Sequence, residues 1–275
     1  MPTILSGAAS NLSARLGGVW KWLDGCALRN PGMMLLLLLL LALSLRCASF
    51  QLKDRHEMDE KYYVESVVAI LGHDANWQTA YSFSPLMSLL GAFGCQVSGG
   101  SPETVLRILN LMYSLLCVCA VYGLGRDAFS SPRAGLLCGL LLACNPAISD
   151  LSTEIMREPL YLLWVALTMW CAVRLIKAQG QAIIWSGAMA LCSFLGFLTR
   201  VEGVELMVIS IAAMAFKFLC KRNFPAFKQL TSAAVAFAVA IGLLYGACAL
   251  AGLQYPKQAV SQKMKNYWDY ARQFK

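Results

Sequence analysis

The chain has 275 residues, of which 58% are hydrophobic and only 14% charged, with a net charge of +8. Soluble domains carry roughly 25% charged residues, so a soluble fold of this size would lack the polar surface it needs. The basic excess, carried by short segments between apolar runs, reads as topology charge and argues against a nucleic-acid surface.

Apolar stretches recur along the chain, each long enough to cross roughly 30 Å of hydrocarbon. In lipid the backbone must satisfy its own hydrogen bonds, so the spans are helices. The expected fold is all-α: a polytopic membrane protein with spans near 33–50, 106–125, 134–150, 159–176, 182–199, 203–220 and 231–253. Residues 1–30 form an N-terminal segment, 31–253 a transmembrane module and 254–275 a basic tail. Within the first segment, Leu5, Leu12, Leu16, Trp20 and Leu23 fall near one face, which predicts an interfacial amphipathic helix over 4–28. The run from Met33 to Leu45 lies too far from the N-terminus for a signal peptide and is followed by Arg46, so it is a retained first span.

Residues 51–105 are the one long extramembrane segment. It opens with Asp59-Glu60-Lys61-Tyr62-Tyr63, and Tyr63, Val67, Ile70 and Leu71 then recur at helical spacing until Gly72. A second helix is predicted from Pro85. Both are expected to lie parallel to the membrane. Ser101 and Pro102 suit the cap and first turn of the next helix.

Charges alternate between the two ends of the spans. Arg126, Arg133, Arg174, Lys177, Lys217, Lys221, Arg222 and Lys228 fall on one side with Arg15, Lys21 and Arg29 of the N-terminus. That side is cytoplasmic by the positive-inside rule, which puts the C-terminus outside. Asp54, Glu57, Asp59, Glu60, Asp150, Glu154, Glu158 and Glu202 fall on the outer side. The eleven cysteines show no C-x-x-C and mostly lie in or beside spans, where they act as small apolar residues. Only Cys95 and Cys47 are placed to meet an oxidising compartment. No internal repeat supports a transporter.

Three polar groups therefore reach the outer boundary: Asp59 with Glu60; Glu154, Arg157 and Glu158; and Arg200 with Glu202. Ionisable side chains at membrane depth are costly and read as functional. The plainer alternative is that these arginines and glutamates pair with one another and hold helix ends together, and that Asp59 and Glu60 favour a helix dipole. The functional reading fits sugar transfer from a lipid phosphate to a hydroxyl. A carboxylate such as Asp59 would take the proton. A guanidinium, Arg157 or Arg200, would match the phosphate oxygens. Two converging carboxylates could also bridge a divalent metal to the phosphate. The chain has no Walker A loop, Rossmann fingerprint or Gly-x-Ser-x-Gly elbow, so a polyprenyl-phosphate donor entering from the bilayer suits it better than a nucleotide sugar.

In this order, the motifs resemble the GT-C superfamily of membrane glycosyltransferases, in the branch of protein O-mannosyltransferases and lipid A aminoarabinose transferases. They are Asp59-Glu60-Lys61-Tyr62-Tyr63, Tyr81-Ser82-Phe83-Ser84-Pro85-Leu86 and Tyr122-Gly123-Leu124-Gly125-Arg126. Asn145-Pro146, Arg157-Glu158-Pro159-Leu160 and Gly196-Phe197-Leu198-Thr199-Arg200-Val201-Glu202-Gly203 follow. The resemblance implies a seven-span module with two membrane-parallel helices in its first outer loop. It also implies Asp59 as the catalytic aspartate with Glu60 beside it, and the Glu154, Arg157 and Glu158 turn as a donor-phosphate or metal-supporting element; the residues themselves add Arg200 toward the donor phosphate and Tyr63 and Glu202 in support.

The implied reaction moves a sugar from a polyprenyl phosphate to a lipid, glycan or protein acceptor on the outer face, in a bacterial inner membrane. Members of that family continue past the seventh span. The chain is thus expected to be an N-terminal module whose acceptor-binding part comes from elsewhere, such as a partner subunit. The alternative expectation is an inactive GT-C-like scaffold or lipid-binding partner.

Overall fold

Helices account for all regular structure among the residues that the computed structural model describes: 30–52, 58–73, 85–177, 181–220 and scattered positions between 231 and 246. In chain order they are α1 (Pro31–Leu52), α2 (Met58–Leu71), α3 (Pro85–Ser98), α4 (Pro102–Ala128) and α5 (Pro132–Ala143). Then come α6 (Pro146–Thr153), α7 (Glu158–Lys177), α8 (Ala182–Thr199), a 3-10 turn Val201–Gly203 and α9 (Val204–Cys220). The expected amphipathic segment 4–28, the acids Asp54 and Glu57, the motif residues 81–84 and the tail 254–275 lie outside the described residues.

Among the described residues, four helices are long and apolar enough to cross a membrane: α1, α4, α7 and α8. A bent pair, α5 and α6, makes a fifth if it is counted as one span. The chain is a multi-pass all-α membrane protein. The sixth expected span is α9, at 17 residues. The seventh falls mostly outside the described residues.

The expected span near 134–150 is a bent pair: its first helix ends at Ala143, and α6 turns away by 60°. Pro146 has no N–H to continue the ladder and keeps the residue before it out of the α region. Asn145 is accordingly extended (φ −73°, ψ 116°), and its side chain accepts the Ile148 amide as an N-cap.

Local signals explain the other boundaries. The Ser101 hydroxyl accepts the Thr104 amide at 3.4 Å, and Pro102 occupies the first turn of α4. α2 stops at Leu71, and the left-handed residue beyond it is His73 (φ 56°) rather than Gly72. The apolar stripe of α2 explains why this loop helix docks. Tyr63 and Val67 are 2% and 0% exposed, in one cluster with Met87 of α3, Leu106 of α4 and Leu160 of α7. Burying each such side chain contributes about 1.5–3 kcal/mol. α2 and α3 are therefore part of the core, seated on one end of α4 with α3 also against α8, in a cluster that reaches Leu160 and Leu163 of α7. A second cluster joins α7, α8 and α9, and a third joins α1 to α4 and α5.

The helix directions sort the charges by end. Where α4 and α7 finish, the Asp127 carboxylate accepts from Arg126 and Trp170 and is ion-paired with Arg174, and Lys177 donates to the carbonyls of Asp127 and Ala128. Lys217 is buried and donates to the Leu175 carbonyl at 2.6 Å, near the C-terminus of α7. Where the same two helices begin lie Glu60, Arg107, the 154–157 segment and Arg200. The C-terminal end of α1 is tied to this second end, with Ser49 donating to Asp150 and Phe50 lying 5.7 Å from the Arg107 guanidinium.

Candidate functional site

The site is built around four residues that belong to no helix, 154–157, between α6 and α7. The Arg157 carbonyl accepts the Tyr161 amide as α7 begins, while the Ile155 amide and the carbonyls of Glu154 and Met156 are served by side chains from elsewhere. Glu60, on the first turn of α2, is 5% exposed, and its Oε1 accepts the Ile155 amide at 3.0 Å. Its Oε2 accepts from Arg107 of α4 at 3.2 Å. Arg107 also bonds Glu103 at 3.1 Å and donates to the Thr153 carbonyl at 3.4 Å. One turn further along α4, the fully buried Asn110 donates to the carbonyls of Glu154 and Met156. A strip of polypeptide is thus clamped by one carboxylate, one guanidinium and one amide.

Glu60 takes the buried place at the head of the α2 stripe, three residues before Tyr63. Asp59 precedes it as the second residue of α2, with its side chain outside the described set. Adjacent Cα atoms are about 3.8 Å apart, so the backbone of Asp59 sits beside an anchored residue. Both Glu60 oxygens are engaged, which makes Glu60 a clamp on the strip.

The other expected residues form a neighbouring group. Arg200, between α8 and the 3-10 turn, donates to Glu158 at 2.6 Å and to Glu202 at 3.3 Å. Its guanidinium also lies 5.7 Å from the Tyr161 ring. Sequence reasoning left open whether these charges pair or serve chemistry; for Arg200, Glu158 and Glu202 the structure shows pairing. The backbone that holds Arg200 depends on Gly203. A Cβ there would lie 2.3 Å from the Phe197 nitrogen and 2.4 Å from the Gly196 carbonyl carbon. Only glycine lets the 3-10 turn fold back this closely on the end of α8.

The two groups are neighbours through the strip. Ile155 and Glu158 are three residues apart, so their Cα atoms lie no more than ~11 Å from each other. Arg157 stands between them, half-buried, while Glu154 is buried. Tyr63 lies in the core beneath, packed in the cluster that contains Ile155. No group of three or more His, Cys, Asp or Glu side chains with metal-holding geometry occurs among the described residues.

Sequence reasoning passed over Arg107 and Asn110. Their signal was a polar pair three residues apart in the opening turns of an otherwise apolar helix, the spacing that puts both on one face. Cys95, expected to meet an oxidising compartment, is buried in the core, and burial pushes its thiol pKa up.

Residues 82–245 match the model of the dolichyl-phosphate-mannose-protein mannosyltransferase family. No curated protein and no solved structure matches the chain.

Proposed function

The chain belongs to the dolichyl-phosphate-mannose-protein mannosyltransferase family, and on that premise we propose that this GT-C-type glycosyltransferase takes its sugar from a polyprenyl-phosphate donor. It passes the sugar to an acceptor hydroxyl on a lipid, glycan or protein at the outer face. Asp59 is the base that removes the hydroxyl proton as the acceptor oxygen bonds to the anomeric carbon. The bond from that carbon to the phosphate oxygen breaks, and the charge left on the lipid phosphate is met by Arg157, with Arg200 beside it. Glu60 positions Asp59 and does not itself take the proton.

The observation that carries this reading is the seat of Glu60. Its carboxylate ties the start of α2 to Ile155, two residues before Arg157. That supports bringing Asp59 and a guanidinium to one level, the arrangement a transfer from a lipid phosphate requires. The sorted charges support the orientation: the Arg126, Arg174 and Lys177 end faces the cytoplasm with the N-terminus, and the strip faces outward. The resemblance to the lipid A aminoarabinose transferase branch supports a bacterial inner membrane, which the charge pattern itself does not distinguish from an endoplasmic reticulum membrane.

The test is transfer of labelled sugar from a polyprenyl-phosphate donor by membranes carrying the chain. Asp59→Asn abolishes transfer while expression and thermal unfolding stay unchanged. Full activity in that variant overturns the assignment of the base. A folded wild-type chain that transfers nothing would instead be a scaffold or a lipid-binding subunit.

A further inference from the structure

A cavity of about 440 Å³ lies between α1, α4 and the end of α6. Its volume is within the range of small-molecule sites. Arg46 and Arg107 line it together with Cys47, Phe50, Ile108 and Thr153, and no acidic side chain does so among the described residues. Arg46 is 0% exposed. Its Nε donates to Ser114 at 2.6 Å and its Nη1 to the Ala42 carbonyl at 3.0 Å, while its Nη2 is buried without a partner. No carboxylate among the described residues pairs with it. A guanidinium withdrawn from water without a counter-charge is costly, and an anion within reach of the free nitrogen removes that cost.

We propose that this cavity holds the phosphate of a membrane lipid, with Arg46 as its buried cation; Arg107 stays paired with Glu60 and Glu103 and forms part of the wall. The lipid source follows from the walls. Phe50 and Ile108 are 51% and 52% exposed apolar side chains of α1 and α4 and give an acyl or prenyl chain a surface to follow outward. Phe50 stands one helical turn beyond Arg46, at the end of α1, where a head group would sit. A planar guanidinium with a free N–H suits a phosphate oxygen. This site stands whether or not Asp59 is the base, because none of its residues is assigned a step in transfer.

Cys47 lines the cavity and is exposed, so it reports on occupancy; Cys144, also exposed and outside the cavity, is the control. The full chain in detergent micelles is treated with a maleimide, and labelling of each cysteine is followed by peptide mass spectrometry. Dioleoyl phosphatidic acid or a polyprenyl phosphate slows labelling of Cys47 and leaves Cys144 unchanged; diacylglycerol and inorganic phosphate do neither. Arg46→Gln raises the lipid concentration for half-protection about tenfold, the scale of one lost charge-assisted hydrogen bond. Ile108→Trp, which fills the cavity from an exposed position and spares Arg46, protects Cys47 with no lipid added and keeps the test open if Arg46→Gln fails to fold. Equal protection by diacylglycerol, protection by inorganic phosphate alone, or none by either lipid phosphate overturns the proposal.

Discussion

Glu60 and Ile155 are 95 positions apart in the chain, and the carboxylate of one accepts the amide of the other at 3.0 Å inside the protein. That bond joins a loop helix to the non-helical strip between α6 and α7. It also places the residue before Glu60 where we propose the proton is removed.

Replacing Glu60 separates anchoring from charge. Glu60→Ala leaves both the Ile155 amide and Arg107 without their buried partner, and stability should fall by about 3 kcal/mol. Glu60→Gln keeps an oxygen for the amide and should recover part of that loss. Unfolding in mixed micelles measures both, and equal stability of all three chains would remove the clamp.

The Arg200–Glu158 pair is half-buried and should couple only modestly. A double-mutant cycle with Arg200→Ala and Glu158→Gln should give ~1 kcal/mol, shrinking as salt is raised. A coupling near zero at low salt would mean that the two turns are held together by packing alone.

Gly203 sets the sharpest steric test. Gly203→Ala drives a Cβ into backbone atoms of Gly196 and Phe197, so α8 and the turn must move apart, at a cost of at least about 2 kcal/mol. Gly196→Ala meets the flexible end of Leu206 and should cost less. At Gly187, within α8, a Cβ meets nothing within 4 Å, and alanine should stabilise by ~0.5–1 kcal/mol. Thermal unfolding of the three variants should rank them in that order.

Much of this architecture could be read from residue order. The α2 stripe, the Ser101 cap and the Arg200–Glu202 turn are local, and local rules describe them. The break at Pro146 was visible as a dipeptide, but apolar residues on both sides of it mimic a continuous span, and hydropathy does not register a 60° bend. Arg107, Asn110 and Arg46 were hidden for another reason. Arg107 and Asn110 share one face of α4 and Arg46 follows an apolar run, but the importance of each lies in partners tens of positions away, which spacing alone does not name. In the same way, Asp59 and Glu60 look alike as neighbours, and only the fold shows that Glu60 is committed to the strip.

Cys95 gives a pH-dependent prediction. Burial raises its thiol pKa above the unfolded value, so the folded chain keeps the proton longer. The associated stabilisation is complete below the unfolded pKa and is lost as pH rises through the folded one. At about pH 9, where an ordinary thiol ionises, alkylation should mark Cys47 and Cys144 well before Cys95. Simultaneous labelling would show that α3 opens freely.

The strip at 154–157 has no hydrogen-bonded ladder of its own, and its backbone is held by side chains of α2 and α4. Its local opening is therefore governed by how firmly two distant helices are seated, not by its own sequence. Amide exchange at Ile155 becomes a gauge of that seating: protection there rises and falls with the docking of α2, even though the strip contributes no residue to that helix.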